Sequence, residues 1–280
     1  MGFNANLSQS SADEVGSLRT KIDDKNHAFI ITAVIYSSRR NCYNWSMLDD
    51  LRIAVKEASD PEKAAFFPRF FKTGKGEYGE GDVFCGLTVP HARKIAVKFQ
   101  NLPMADVKQL LKSRIHEERL VALLILAAKF KKSDKKVRAK IVHFYLEHTK
   151  YINNWDLVDL SSDIIIGEYV WNNKTEVLVR LANAQSLWEK RIAIVSSFAF
   201  IKHGEAETTY MIADILLHDS HDLIQKAVGW MLRETGKRVS EEKLETYLKP
   251  RYQTMPRTML RYAIERFSEE KRKRYLRGDI

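Results

Sequence analysis

Basic residues occupy the same place in four similar helical segments, at Arg119, Arg191, Lys226 and Arg261. The steps between them are 72, 35 and 35 residues, and the midpoint of the long step is Trp155. A two-helix unit that recurs at such a spacing is typical of a helical-repeat solenoid. The spacing therefore predicts stacked HEAT-like helix pairs, in which these five residues line one concave surface.

From Met47 onward almost every segment has the period of an amphipathic helix, and sustained strand-like alternation is absent. We predict, among others, one helix over 154–170 and one over 221–236. The fold class is therefore predicted to be all-α, a superhelical solenoid with a concave groove. Because residues 1–46 lack a sustained helical period, we predict a loosely ordered extension there, followed by a single domain over 47–280.

The stretch NNWDLVD, residues 153–159, opens one of these helices. Trp155 and Asp159 are four positions apart and share a helix face, and Asn153 or Asn154 can cap the helix. An aromatic ring beside a carboxylate suits a flat or cationic ligand. The alternative is structural, with Trp155 as a core residue and Asp159 as an ordinary salt-bridging residue.

The net charge of the chain indicates what kind of ligand it could bind. The chain has 46 Lys and Arg against 36 Asp and Glu, a net charge of +10 and an isoelectric point near 9.4. Such an excess favours a polyanionic partner such as nucleic acid. Arg119, Lys226 and Arg261 are therefore candidate DNA-binding residues, although each could also be an ordinary solvated charge on a helix.

Two cysteines, Cys42 and Cys85, have neither the spacing of metal ligands nor that of a disulfide framework. We therefore predict chemistry without a metal or a cofactor. The longest mostly apolar run near the start, 28–36, is too short to cross a bilayer. We expect a cytoplasmic protein with no membrane attachment.

Two further segments stand out by their glycine content or their charge. The sequence GKGEYGEGD, residues 74–82, contains a GxGxxG pattern, but it follows a helix and carries several acidic residues, so we predict a flexible connector and not a phosphate loop. Residues 245–280 contain ten basic and five acidic residues. That segment is either a solvated end cap or a phosphate-binding flank.

Several motifs, taken in order, resemble the DNA alkylation repair family of HEAT-like-repeat DNA glycosylases. They are FFPRFFK at 66–72 with the GKGEYGEGD connector, GLTVP at 86–90, NNWDLVD at 153–159, LWEKRIA at 187–193 and QKAVGWMLRE at 225–234. The resemblance covers about 47–267. It implies an all-α glycosylase that acts on duplex DNA containing alkylated purines, such as 3-methyladenine and 7-methylguanine, and we expect it to act as a monomer.

The resemblance also implies roles for particular residues. Trp155, Asp159, Arg191 and Trp230 match the tryptophan, aspartate, arginine and tryptophan that contact the lesion and carry the reaction. A further family aromatic, usually tyrosine, falls at Phe70 or Phe71, where the hydroxyl is missing. Two other functions remain open: a relative that binds damaged or branched DNA without excision, and a protein-binding HEAT scaffold.

Overall fold

The computed structural model describes residues 46–171 and 175–280. The chain forms two compact units, Met1–Asp50 and Leu51–Ile280, and the site described below lies entirely in the second. Of the predicted extension over 1–46, all but residue 46 lies outside the described residues, as do the apolar run 28–36 and Cys42. The boundary predicted near residue 47 therefore stays a prediction.

Helices make up most of the described chain, and we label them in order. They are α1 Met47–Glu57, α2 Pro61–Phe70, α3 Val89–Lys98, α4 Met104–Leu111, α5 His116–Lys132, α6 Lys135–Glu147, α7 Trp155–Asp159, α8 Glu168–Trp171, α9 Glu176–Ala182, α10 Leu187–Ser196, α11 Phe198–Lys202, α12 Glu207–Ile215, α13 Asp222–Arg238, α14 Glu241–Leu248, α15 Arg257–Ala263 and α16 Glu269–Arg277. A 3₁₀ turn spans Thr149–Tyr151 and a π-helix spans Asp163–Gly167.

The all-α class is confirmed. Within the described ranges the β structure amounts to a single isolated parallel bridge between Val83 and Ile115. The helix predicted over 221–236 is present as α13, Asp222–Arg238. The arrangement of the helix pairs as a curved solenoid stays a prediction.

Two long helices support the shorter helices that carry the site. Over residues 120–127 helix α5 is apolar and buried around its whole circumference, as expected for a helix enclosed by others, and it packs against α3, α4, α6 and α7. Helix α13 packs against α10, α14 and α15. Because α7 lies between α5 and α10, its position is set by the packing of both.

The prediction of one helix over 154–170 is wrong in its middle, where α7, the π-helix and α8 follow one another. The Ser161 hydroxyl donates to the carbonyl oxygen of Leu157 at 2.6 Å. Gly167 packs so closely on α10 that a Cβ there would lie 2.4 Å from the carbonyl oxygen of Ser196. Side-chain insertion and close packing of this kind interrupt a regular helix, and π-helical turns are frequent beside functional sites.

Candidate active site

Helix α7 starts at a cap that fixes its direction. Asn154 is fully buried and extended, and its Oδ1 accepts a hydrogen bond from the backbone N–H of Trp155 at 2.8 Å. This confirms that one of the two asparagines caps the helix and identifies it as Asn154. The five-residue helix then presents Trp155 and Asp159 one turn apart, as their spacing predicts.

The carboxylate of Asp159 is held by Arg191 of α10. Nε of Arg191 donates to Oδ1 at 2.9 Å and Nη2 donates to Oδ2 at 2.8 Å, while Nη1 donates to the carbonyl oxygen of Leu223 at 2.7 Å. The side chains of Asp159 and Arg191 are only 16% and 7% exposed. Burial raises the pKa of Asp159 above its usual value, and the Arg191 charge opposes this shift.

This geometry bears on the role predicted for Arg191. The resemblance implies that Arg191 contacts the lesion or takes part in the reaction, but its guanidinium is buried and already donates to three protein oxygens. A two-pronged contact of this kind fixes the orientation of a carboxylate. The arrangement therefore favours a different task for Arg191, which is to hold Asp159 in place.

Trp155 lies in a cluster of aromatic rings from the end of α2 and the residue that follows it. Phe71 stacks on the indole with ring centroids 5.1 Å apart and planes 12° apart, and Phe70 meets it edge-on at 5.6 Å. Phe71 is 7% exposed and Phe70 is 50% exposed. Of the two candidate aromatics, Phe70 is therefore the accessible one, while Phe71 forms the wall behind the indole.

A cavity of about 400 Å³ adjoins these residues. Trp155 and Asp159 are part of its wall, and the rest is mainly aromatic and aliphatic: Phe67, Phe70, Phe71, Phe84, Leu87, Thr88, Val89, Pro90, His116, Glu117, Leu120, Asp156 and Leu160. Cavities with mostly apolar walls and a few convergent polar groups are the usual setting of ligand sites. The space is large enough for a planar ring next to the carboxylate.

A buried histidine joins α5 to α7. His116 is 1% exposed; its Nδ1 lies 3.0 Å from Oδ2 of Asp82 and its Nε2 lies 2.8 Å from Oδ2 of Asp156. Burial disfavours the charged imidazole, but the two carboxylates outweigh it and raise the pKa of His116 to about 9. At neutral pH, His116 is thus a cation that donates from both ring nitrogens, and it fixes the start of α7.

Arg119 belongs to the same network, which corrects its predicted role. Its Nη2 donates to Oδ1 of Asp82 at 2.7 Å, its Nη1 donates to the carbonyl oxygen of Ser113 at 2.9 Å, and the residue is 4% exposed. A buried guanidinium that donates from Nη1 and Nη2 to protein oxygens is poorly placed to contact a phosphate. The prediction that Arg119 binds DNA does not agree with this placement.

The segment GKGEYGEGD is folded on itself. The N–H of Gly74 donates to Glu77 at 2.7 Å and the N–H of Gly76 donates to Glu80 at 2.8 Å. Because these acidic side chains occupy the N–H groups of Gly74 and Gly76, those two groups are not free to bind a phosphate, in agreement with the prediction that this is not a phosphate loop. The prediction of a flexible connector is not supported by these specific bonds.

Comparison with protein families matches residues 51–267 to the family described as DNA alkylation repair enzyme. The chain belongs to this family. It is therefore related to enzymes that repair alkylated DNA.

The fold of this chain is also similar to that of a solved structure. That structure is a predicted DNA alkylation repair enzyme from Enterococcus faecalis, with a TM-score of 0.58 and 18% sequence identity, covering 75% of this chain and 97% of the other. At this identity the likeness concerns the fold. A search of curated proteins finds no match to the chain.

Three other predicted site residues, Lys226, Trp230 and Arg261, lie on α13 and α15. Trp230 packs near Phe198, with ring centroids 6.4 Å apart. Lys226 is partly exposed and pairs with Asp222 at 2.6 Å, and Arg261 is exposed. No described contact joins Trp230 or Arg261 to Trp155 or Asp159. Their predicted roles therefore stay predictions.

The sequence reasoning missed two parts of the site. The His116 network joins residues more than 30 positions apart, and no local pattern marks it. Tyr78 of the connector meets Trp188 edge-on, with ring centroids 5.8 Å apart. Tyr78 lies inside the glycine-rich motif. Because that motif is not a phosphate loop, its presence was the sequence signal that could have marked Tyr78.

The described residues offer no support for a membrane or metal site. None of the helices in the described ranges combines the length and apolar character needed to cross a bilayer. Across those same ranges, no group of three or more His, Cys, Asp or Glu side chains is arranged to hold a metal ion.

In the basic segment 245–280, Lys271 pairs with Glu241 and Glu245, so part of the positive charge of this segment is balanced locally.

Proposed function

We propose that this protein is a monofunctional DNA glycosylase that hydrolyses the N-glycosidic bond of cationic alkylated purines, such as 3-methyladenine and 7-methylguanine, in duplex DNA. It would act in base excision repair in the cytoplasm, as a monomer and without a cofactor. The observation that carries this proposal is the Asp159 carboxylate, held by Arg191 one helical turn from the Trp155 indole.

The chemistry of the lesion explains why such a site suffices. An N3- or N7-alkylated purine already carries a positive charge, so the bond from C1′ breaks with its electron pair going to the base, which leaves neutral. The protein then has to stabilise the positive charge that develops on the sugar and to direct a water to C1′. A carboxylate fixed in advance at low exposure does the first, because it needs no reorganisation during the reaction.

Trp155 and Asp159 have different roles in this reaction. The face of an indole attracts a cation, so Trp155 favours the charged base and the developing sugar cation. The oxygen atoms of Asp159 can also accept a proton from the attacking water, and burial raises the pKa of this carboxyl toward the range of a general base. Arg191 keeps the carboxylate in one orientation, so little positioning entropy is lost in the reaction.

The direct test is base release. Duplex DNA methylated at purines is incubated with the protein, and free 7-methylguanine and 3-methyladenine are measured by mass spectrometry. We expect release from methylated DNA and none from the unmodified duplex. Tight binding of methylated DNA without release would instead identify a non-catalytic DNA-binding relative, and binding of neither duplex would favour a protein-binding scaffold.

A second test concerns where the duplex lies. We place it along the face that carries Lys226 and Arg261, as the concave groove of the proposed solenoid. If Lys226 neutralises one phosphate, Lys226→Ala abolishes the release of one counterion. The negative slope of log K against log salt concentration should then become shallower by about 0.9, and DNA of every sequence should bind more weakly. Affinity is measured by fluorescence anisotropy across a salt series.

The matched control for this test is Lys243→Ala. Lys243 is also a surface lysine paired with a carboxylate, Glu207 at 2.9 Å, but no described contact links it to the site. Its removal should leave the salt slope unchanged. Equal slopes for the wild type and Lys226→Ala would move the DNA off this face.

A further inference from the structure

Two phenylalanines lie on the outer face of α2. Phe66 is 59% exposed and Phe70 is 50% exposed. They are four positions apart and therefore share one helix face, while Phe67, on another face, packs edge-on against Phe84 with ring centroids 5.8 Å apart. The outer face of a surface helix is normally polar, so two exposed aromatic rings side by side there indicate a binding surface.

The two exposed rings are continuous with the candidate active site. Phe66 and Phe70, which we call the aromatic pair, have ring centroids 6.1 Å apart and planes 25° apart. Phe70 also meets the Trp155 indole edge-on at 5.6 Å. Because Phe70 and Trp155 line the cavity and Phe66 does not, the aromatic pair extends from the cavity onto the protein surface.

Basic side chains surround the aromatic pair. The segment 61–75, which contains α2, has four basic residues and one acidic residue. Lys63 and Arg69 are exposed and each lies three positions from Phe66, so they flank its ring on the helix surface, and Lys72 is exposed just beyond the helix. Flat rings flanked by positive charges match a nucleic acid strand, in which flat bases alternate with phosphates. A second copy of this chain, with a net charge of +10, would bring like charges together.

We propose that the aromatic pair binds an unpaired nucleobase of the DNA beside the lesion. In a paired duplex each base is covered by its neighbours in the stack. Opening the stack at the lesion, so that C1′ can meet Asp159, uncovers the face of a base at a cost in free energy. Stacking on an exposed aromatic ring offsets that cost for any sequence, because every base has a flat π-face. The inference deepens the proposed function and rests on its placing DNA against Trp155 and Asp159.

The binding test compares one duplex with and without a single unpaired adenine inserted as a bulge, by fluorescence anisotropy. We expect the wild type to bind the bulged duplex roughly fivefold more tightly, the lower end of the effect of stacking one base on an aromatic side chain. Phe66→Leu keeps an apolar side chain but has no ring, so the preference should fall below roughly twofold while affinity for the paired duplex is unchanged. Because Phe66 is exposed, this variant should fold normally.

The matched control is Val97→Ala. Val97 is 65% exposed on α3 and does not line the cavity, so its removal takes an apolar side chain from a different surface and should leave the preference unchanged.

Salt separates stacking from attraction to phosphates. Affinity for both duplexes should fall as salt is added, because phosphate contacts release counterions, but the ratio of the two affinities should stay constant. A ratio that falls with salt, equal wild-type affinity for the two duplexes, or a full preference in Phe66→Leu would overturn the inference. So would a wild-type dimer in sedimentation velocity that is lost in Phe66→Leu, which would assign the aromatic pair to a contact between copies.

Base release distinguishes this inference from the proposed function. Release from methylated duplex without a preference for the bulge overturns the inference and leaves the glycosylase activity standing. A preference that depends on Phe66, in a protein that releases no base, supports the inference and overturns the glycosylase activity. A protein that binds neither duplex overturns both.

Discussion

Asp159→Asn is expected to abolish most release of 7-methylguanine while affinity for methylated DNA stays close to that of the wild type. Lost stabilisation of a charge that develops only in the transition state appears in the rate and not in binding. Removal of one such preorganised group costs on the order of 3 kcal/mol, or roughly a hundredfold in single-turnover rate. The measurement is single-turnover excision, with DNA affinity determined on the same preparation.

The structure adds a cost in stability to this substitution. Arg191 is buried and donates to both carboxylate oxygens, so Asn leaves its charge without a full partner, and breaking a buried ion pair in this way costs about 3–5 kcal/mol. We expect a lower melting temperature. The double variant Asp159→Asn, Arg191→Gln removes the unpaired charge and should recover stability without recovering excision.

Asp163→Asn is the matched control for Asp159→Asn, because it removes a carboxylate of similar exposure that does not line the cavity. Asp163 is also weakly exposed and pairs with Lys202 at 3.2 Å, outside the cavity. Asp163→Asn should keep most of the excision rate, because Asp163 acts on Asp159 only as one of several charges that raise its pKa. Normal single-turnover rates in a stably folded Asp159→Asn protein would remove Asp159 from the catalytic role.

The second large effect is expected from pH. The pKa of His116 is raised from 6.5 to about 9 in the folded protein, so protonated His116 stabilises the fold by about 3 kcal/mol. The sign follows from the direction of the shift: this stabilisation is complete below pH 6.5 and is lost as the pH rises through about 9. The free energy of unfolding, measured in urea between pH 6 and 9.5, should therefore fall across that window.

His116→Gln isolates this contribution from other groups that titrate at alkaline pH. Without the cation, Asp82 and Asp156 lose their shared partner, so the variant should be less stable than the wild type at pH 6, and the difference should shrink toward pH 9. His143→Gln is the control, since His143 is 75% exposed and pairs only with Glu147. A constant difference between the wild type and His116→Gln would exclude His116 as the titrating group.

The helical class and the face shared by Trp155 and Asp159 were predictable from the sequence. Both depend on local rules: the 3.6-residue period sets which residues share a face, and a side-chain cap such as Asn154 needs only its immediate neighbours. The same rules predicted α13, at Asp222–Arg238, to within two residues at its ends. The local rules also singled out the connector by its glycine pattern, although they did not show its role.

The repeat spacing predicted equivalent positions but not their burial. The spacing assigns Arg119, Arg191 and Lys226 to one repeat position, yet the first two are buried in ion pairs while Lys226 is partly exposed. Burial depends on what packs over a position, and here that is the connector over Arg119 and α7 over Arg191. Neither covering element is encoded near the arginine in the sequence.

The sequence by itself therefore determined the helical class, the family and the pairing of an indole with a carboxylate on one turn. The tertiary structure decided which acidic side chain pairs with which basic side chain. Asp159 lies 32 residues from Arg191, and Asp82 lies 34 residues from His116. Such pairs form because a buried charge must find an opposite charge, and the packing of distant helices alone sets which one is within reach.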